Sequence, residues 1–155
     1  MASTITASYQ NKDNTVRLES AKDVSRFLAH MAEQAVLDPD NTCAWLYIDN
    51  RPVDEDGIAD HEMRVGVIPN LPETAPDGNT SVKSSAWTLG FTDARGSTYV
   101  KGHDSGLPEI SLFVQGHSET FPADSVVDGE LVRAAILDAI ATGERPTTVT
   151  WSPTH

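Results

Sequence analysis

Apolar and polar residues alternate over many short runs of this chain, which is the spacing of strands with one buried face. β-Branched and aromatic residues are frequent in these runs, as they are in β-sheets. The pattern predicts strands at residues 5–10, 15–19, 44–48, 63–68, 86–91, 98–101, 110–115 and 147–151. Residues 71–81 contain Pro72, Pro76, Gly78 and Asn79, which are typical of turns, and they are predicted to form a loop.

Two longer segments repeat apolar residues at steps of three and four, which predicts helices. Ser20 and Asp23 have the spacing of a capping box at the start of the first helix, and residues 37–40 end it. Asp128 is in position to cap the second helix, and Gly143 ends it. The apolar faces comprise Val24, Phe27, Leu28, Met31 and Ala35 in the first helix, and Leu131, Val132, Ala135, Ile136, Ala139 and Ile140 in the second.

This order of elements predicts an α+β fold, a mostly antiparallel sheet of about six to eight strands with two helices packed on one face. A parallel sheet is disfavoured because nearly every crossover would need a helix. With 155 residues, the chain has the length of one domain. We therefore expect a single domain over residues 1–155, with short flexible ends at residues 1–4 and 152–155.

The acidic residues are concentrated in two segments. The chain holds 23 Asp and Glu against 11 Lys and Arg, a formal net charge of -12. Residues 38–62 carry many carboxylates against Arg51 alone, and residues 104–130 carry carboxylates without any Lys or Arg. If the two segments meet, their negative field steers a basic protein towards them. A solvated acidic surface that serves only solubility is the alternative.

The composition argues against several classes of protein. Nucleic acid binding needs a basic patch, and Lys and Arg are scattered here. No apolar run is long enough to span a membrane, and no basic start followed by an apolar stretch marks a secretory signal. We therefore expect a cytoplasmic protein that binds neither nucleic acid nor membranes. Cys43 is the only cysteine, which excludes an intrachain disulfide and a multi-cysteine zinc site.

Residue types that serve catalytic and metal sites occur without the necessary spacing. The carboxylates between residues 54 and 62 lack the register of a calcium loop, and no two of the five histidines have the spacing of a zinc pair on a helix. Cys43 opens an apolar strand and is interpreted as a small core residue rather than as a nucleophile. The sequence contains neither a nucleophile elbow nor a glycine motif for phosphates or dinucleotides. We therefore expect no catalytic residue, no metal and no cofactor.

Several short strings connect the chain with a known family through their order and spacing. They are residues 44–48 (AWLYI), 51–52 (RP), 61–67 (HEMRVGV), 116–125 (GHSETFPADS), 141–146 (ATGERP) and 149–151 (VTW). Together they resemble immunity protein family 1 of bacterial polymorphic toxin systems, over about residues 5–151.

The resemblance implies an α+β antitoxin of the cytosol, encoded beside a toxin and binding the toxin domain to protect the producing cell. In that family, deaminase-fold toxins that act on nucleic acid are frequent partners. Because such a toxin must attract phosphates and admit a base into a pocket, an acidic protein can compete for both. The expected partner is therefore a cognate toxin with a basic surface, a cytidine deaminase domain, bound by a monomer in a one-to-one complex.

The toxin-binding surface is expected to combine carboxylates with one aromatic anchor. Core packing is the first interpretation for each of the three tryptophans, and Trp87 is the one expected to be half exposed and to anchor the interface. The predicted toxin-binding residues are Asp54, Glu55, Asp56, Asp60, Glu62, Trp87, Glu119 and Asp124.

Two other functions are alternatives. The first is immunity against a nuclease or another basic toxin, which the same charge would serve. The second is a small metal- or carboxylate-dependent hydrolase built on the carboxylates of residues 54–62, although neither a nucleophile nor a ligand pair accompanies them. A zinc deaminase motif in the neighbouring reading frame would identify the class of the toxin.

Overall fold

Seven antiparallel strands form one sheet, which organises the rest of the molecule. The computed structural model describes residues 3–10, 15–69, 71–74, 80–83 and 86–153. In chain order the elements are β1 (Ile5–Ser8), β2 (Thr15–Leu18), α1 (Ala21–Leu37), β3 (Cys43–Ile48), β4 (Glu62–Ile68), β5 (Leu71–Thr74), β6 (Thr80–Lys83), β7 (Ala86–Asp93), β8 (Gly96–Val100), β9 (Ile110–Val114), β10 (His117–Phe121), α2 (Gly129–Thr142) and β11 (Trp151–Pro153). The strand order in the sheet is β11-β8-β7-β4-β3-β1-β2, and β9-β10 and β5-β6 are separate two-stranded ribbons. The predicted α+β class is confirmed.

Both helices begin at the residues that their capping signals predict. At the start of α1, Ser20 Oγ accepts the N–H of Asp23 at 3.2 Å. At the start of α2, Asp128 Oδ1 accepts the N–H of Leu131 at 2.9 Å. Gly143 ends α2 in the left-handed conformation, with a φ of 74°. Within the described chain, neither helix combines the length and the hydropathy that a membrane span requires.

The two helices cover the same face of the sheet, as predicted. On β3, β4 and β7, every second side chain points towards them and is buried: Ala44, Leu46, Ile48, Met63, Val65, Val67, Trp87, Leu89 and Phe91. These side chains meet the buried residues of α1 and α2, which are Val24, Phe27, Leu28, Met31, Ala35, Val132, Ala135, Ile136, Ala139 and Ile140. This is the larger of the two hydrophobic cores.

The opposite face of the sheet is covered at one end only. There the hairpin β9-β10 packs on the sheet and forms a second core of Cys43, Ile68, Ala86, Tyr99, Ile110, Leu112, Val114, Phe121 and Val126. Gly66 of β4 permits this close approach, because a Cβ atom at that position would overlap with Leu112 Cδ1. Thr42 fastens the hairpin by donating its N–H to Phe113 O and accepting the N–H of Phe113, both at 2.9 Å. Among the described residues, no hairpin covers the other end of this face, where β3 ends and β4 begins.

The loop prediction for residues 71–81 is wrong. Its two flanks form β5 and β6, which pair with each other in antiparallel register, while residues 75–79 lie outside the described part. Pro72 is compatible with this ribbon because each strand has an edge at which no N–H is needed. Pro76, Gly78 and Asn79, on which the turn prediction rests, lie outside the described part, and Pro72 lies within β5.

Two further strands differ from the predicted pattern. β10 was not expected, since only Phe121 of its five residues is buried and no apolar alternation is visible. The last strand is Trp151–Pro153, whereas residues 147–151 were predicted. It adds to the sheet beside β8, with Ser152 opposite Tyr99. Ser3 at the other end donates its N–H to Ile140 O at 2.6 Å, so Ser3 and Ser152 have fixed partners, while residues 1–2 and 154–155 lie outside the described part.

Replacing Ile136 tests the layer between α2 and the sheet. Because this side chain is fully buried, Ile136→Ala should leave a cavity and lower the free energy of unfolding by about 2–5 kcal/mol. Leu131→Ala should cost less, since Leu131 is only partly buried. The exposed Leu37 serves as a control, and Leu37→Ala should stay within about 0.5 kcal/mol of wild type in urea denaturation. Equal losses at Ile136 and Leu37 would contradict the assigned packing.

Candidate functional site

Residues 51–60, here called the acidic loop, connect β3 to β4 and are held by one arginine. Arg51 donates two hydrogen bonds to Asp60, from Nε to Oδ1 at 3.0 Å and from Nη2 to Oδ2 at 2.9 Å. Its Nη1 donates to Glu144 Oε2 at 2.7 Å, just beyond the end of α2. The hydrogen bonds from Arg51, with a further one from His61, hold the pKa of Asp60 below its usual range. The loop is thereby fixed to the helical layer.

His61 secures the second end of the acidic loop. Its side chain is fully buried, and its Nε2 accepts the N–H of Ile48 at 2.7 Å. Nδ1 therefore carries the ring proton and donates it to Asp60 Oδ1 at 2.8 Å. The ring stacks on Phe91, with a centroid distance of 5.8 Å. Since both ring nitrogens have partners, His61 positions the loop and has no free nitrogen for a metal or a substrate.

The tip of the acidic loop is shaped by Asp54 and exposes its neighbours. Asp54 Oδ1 accepts the N–H groups of Asp56 and Ile58, both at 2.9 Å, in the manner of an Asx turn. The side chains of Glu55 and Asp56 are exposed. Val53 and Ile58 are also exposed, at 61% and 64%. The tip therefore presents both carboxylates and apolar surface.

A cleft of about 630 Å³ separates the acidic loop from the open end of the sheet. Its lining comprises Thr6, Tyr47, Ile48, Asp49, Arg51, Val53, Gly57, Ile58, Ala59, Asp60, His61, Glu62, Thr92 and Asp93. Four of these residues are acidic and only Arg51 is a permanent cation. The lining thus combines apolar side chains with four carboxylates, which suits a partner with positive charge.

A buried arginine lies beside the cleft. The side chain of Arg64 is 8% exposed; its Nη2 donates to Thr92 Oγ1 at 2.6 Å, and its guanidinium carbon lies 5.1 Å from the centroid of the Tyr99 ring. Its carboxylate neighbours are more distant, with Nε 4.0 Å from Glu62 Oε1 and Nη1 3.7 Å from Glu119 Oε2. Nε has no hydrogen-bond partner in the described part of the chain. One guanidinium is therefore shared by two carboxylates without a close bond to either.

Aromatic residues of β3 orient both of these carboxylates. Trp45 Nε1 donates to Glu119 Oε1 at 3.0 Å, and the hydroxyl of Tyr47 donates to Glu62 Oε2 at 3.0 Å. Burial, and then the neighbouring charge of Glu62, raise the pKa of Tyr47, so its hydroxyl keeps the proton that it donates. Carboxylates from the two acidic segments of the sequence meet here, across Arg64.

Asp124 is not part of this group. The carbonyl oxygen of Asp124 accepts the N–H of Gly102 at 2.8 Å, near the end of the sheet at which β7 begins, close to Trp87. Glu62 pairs with Thr92 at the other end of β7. Five residues of strand correspond to roughly 17 Å, so the two acidic segments meet only in part.

The expectation that Trp87 is half exposed is wrong. Trp87 is 3% exposed and lies in the helix-facing core together with Leu89 and Phe91, two and four residues further along β7. This alternation was visible in the sequence and predicts one common face. The aromatic residues beside the carboxylates are instead Trp45 and Tyr47, which alternate in the same way on the opposite face. As it lies, Trp87 offers a partner little surface.

Two carboxylates of the cleft were missed by the sequence analysis. Asp49 follows β3 directly and accepts hydrogen bonds from the hydroxyls of Thr4 and Thr6, each at 2.5 Å. Asp93 ends β7 and is paired with Arg95, with Nη2 to Oδ2 at 2.6 Å. Both lie where a strand ends at the open side of the sheet. Their position at the end of a predicted strand is the sequence feature from which they could have been found.

Cys43 and the titratable side chains around it do not form a reactive centre. Burial under the hairpin β9-β10, above all, raises the pKa of the Cys43 thiol, so the thiolate that a nucleophile or a metal ligand needs is disfavoured. Across the described residues, no three His, Cys, Asp or Glu side chains are placed to hold a metal ion together.

One family model matches nearly the whole chain. The model of the family described as "Immunity protein Imm1" matches residues 12–153, nearly the full length. The chain belongs to the Imm1 family. The resemblance found in the sequence strings is thereby confirmed, and an immunity protein has a cognate toxin as its partner. Comparison with curated proteins finds no match.

The pair of Arg51 and Asp60 should stabilise this immunity protein in a pH-dependent manner. Because the pKa of Asp60 is lowered by folding, the pair contributes fully above the unfolded value of about 3.9, and the contribution is lost as the pH falls through the lower folded value. Arg51→Met should therefore lower the free energy of unfolding at pH 7. This loss of unfolding free energy should become smaller towards the lowest pH at which the wild type and Arg51→Met both fold.

The matched control is Arg26→Met, since Arg26 is exposed on α1 and has no ion pair among the described residues. Its small effect on the free energy of unfolding should be the same at pH 7 and at the lowest pH used. Chemical denaturation over this pH range measures the loss of stability for each variant. A deficit of Arg51→Met that is independent of pH would contradict the role assigned to the pair.

Proposed function

We propose that this immunity protein neutralises a toxin that deaminates nucleic acid, a cytidine deaminase domain, by covering its active site and its basic substrate-binding surface. It acts in the cytoplasm as a monomer in a one-to-one complex, and it uses neither a metal nor a catalytic step. The observation that carries the proposal is the negative surface around the cleft. The choice of a deaminase rests on the partners that the family resemblance implies.

The distribution of charge supports a partner that handles phosphates. The carboxylates that line the cleft are Asp49, Asp60, Glu62 and Asp93, and Glu55 and Asp56 are exposed at the tip of the adjoining loop. A toxin that binds nucleic acid must display Lys and Arg for the phosphate backbone. The same residues are attracted to this surface, so the immunity protein and the nucleic acid compete for one region of the toxin.

The exposed apolar residues support a protein partner rather than a merely solvated surface. Val53 and Ile58 are exposed and line the cleft together with its carboxylates. A stable interface of about 1,200–2,000 Å² in total needs an apolar centre as well as a charged rim. The acidic loop supplies both, and its attachment through Arg51 limits the entropy that is lost on binding.

Titration of the toxin encoded beside this chain tests the proposal. The immunity protein is first treated with a chelator, separated from it, and then added in steps to the toxin with a cytidine-containing oligonucleotide. Because inhibition by occlusion is stoichiometric, uracil formation should fall to zero near one equivalent. Inhibition by a small fraction of an equivalent would contradict a noncatalytic inhibitor.

The same assay separates the two classes of toxin. Uracil is revealed by strand cleavage that depends on an added uracil-excising enzyme, whereas a nuclease cleaves the oligonucleotide without it. Cleavage by the toxin alone, suppressed by one equivalent of this protein, would retain the immunity role and contradict the assignment to a deaminase.

A further inference from the structure

Two carboxylates of the cleft lack a close cationic partner. Asp49 is bonded only by the hydroxyls of Thr4 and Thr6, and Glu62 by the hydroxyl of Tyr47, among the described residues. The cation nearest to Glu62 is Arg64, at 4.0 Å, and it is shared with a second carboxylate. Arg17 contacts the Thr4 hydroxyl that donates to Asp49, at 3.4 Å, and forms its ion pair with Glu19. Each of the two residues therefore keeps lone pairs and a negative charge for a ligand.

The other two carboxylates of the cleft differ in this respect. Asp60 is satisfied by two bonds from Arg51, and Asp93 by several from Arg95. The hydrogen bonds from Arg95 lower the pKa of Asp93, as expected for a closed pair. The unused charge of the cleft is thus confined to Asp49 and Glu62.

The ring of Tyr47 lies near both of these side chains. The hydroxyl of Tyr47 reaches Glu62 at 3.0 Å. Thr6, the cross-strand partner of Tyr47, donates its hydroxyl to Asp49, so Asp49 lies on the same side of the sheet as Tyr47. Tyr47 lines the cleft and is only half-buried. A ring flanked by two carboxylates attracts a cation through its π-face and through ion pairs at the same time.

The geometry points to an arginine side chain of the toxin, inserted into the cleft over Tyr47 with its guanidinium between Asp49 and Glu62. This inference rests on the proposed function and names the contact that the toxin makes. A guanidinium is favoured over an ammonium because it is planar, stacks on aromatic rings and binds carboxylates with two parallel hydrogen bonds. Its aliphatic stem would pack on Val53 and Ile58, which line the same cleft.

The cleft has room for such a side chain and already has a settled shape. Its volume of about 630 Å³ exceeds that of one amino-acid side chain, so part of the toxin backbone can enter with it. Arg51 and His61 hold the two ends of the acidic loop, so the wall of the cleft is in place before binding. Preorganisation of this kind reduces the cost of association and slows dissociation.

The test compares variants for binding to the toxin encoded beside this chain. Asp49→Asn combined with Glu62→Gln removes both unused charges and keeps the shapes of the side chains. Its affinity should fall by roughly 30-fold or more, mainly through faster dissociation. Glu33→Gln combined with Glu130→Gln removes two exposed carboxylates from the helical layer and should leave the affinity unchanged.

Further variants separate the cleft from its surroundings. Glu55→Gln with Asp56→Asn removes the same charge from the loop tip and should slow association rather than speed dissociation. Tyr47→Leu removes the ring and should lose roughly 3- to 30-fold, whereas Tyr47→Phe keeps the ring, removes only the hydroxyl that orients Glu62, and should lose less than Tyr47→Leu. If the double variant folds poorly, Asp49→Asn alone is compared instead. It leaves the Glu62–Arg64 contact intact and should still lower the affinity for the toxin.

A double-mutant cycle identifies the group on the toxin. Each surface arginine of the toxin is replaced by alanine, and one such replacement should weaken binding as much as the cleft variant does, with little further loss when the two are combined. Unchanged affinity of the cleft variant, or coupling to no arginine, overturns the inference while the proposed function stands. If the wild-type chain neither binds nor inhibits the toxin, the proposed function fails, and the arginine contact fails with it.

Discussion

A seven-stranded sheet has two faces, and each has to be either covered by apolar side chains or furnished with groups that tolerate water. In this protein α1 and α2 cover one face completely enough to form the larger core. The hairpin β9-β10 reaches only one end of the other face, where Gly66 lets it approach. At the uncovered end the strands carry Tyr47, Glu62 and Thr92 instead of aliphatic residues. The polar, acidic surface of the molecule follows from this incomplete cover.

Local signals predicted those parts of the fold that depend on neighbours in sequence. The caps at Ser20 and Asp128 and the apolar faces of both helices are examples, because their interactions span three or four residues. Strand β10 could not be predicted from its own residues, because they are mostly exposed and show no apolar alternation. It forms by hydrogen bonding to β9. The pairing of Arg51 with Glu144 joins positions far apart in the chain, which no local pattern reveals.

The candidate site could be predicted in its charge but not in its geometry. The carboxylates of the acidic loop were expected from their density, and the meeting of Glu62 with Glu119 depends on the docking of the hairpin. Asp124 is separated from them by the length of a strand, and Trp87 faces the core. Carboxylates gathered around one cleft repel one another, and a cationic partner relieves that repulsion on binding. The site therefore favours a positively charged partner, and the surrounding hydrogen bonds hold it in shape.

The central claim is that the acidic loop and the open end of the sheet form the toxin-binding surface. Hydrogen–deuterium exchange of the free protein and of its complex with the cognate toxin measures this most directly, since exchange slows where an interface excludes water. The account predicts slower exchange in residues 49–60 and 92–93 and no change in α1. Slower exchange confined to α1 and α2, with residues 49–60 as in the free protein, would contradict it.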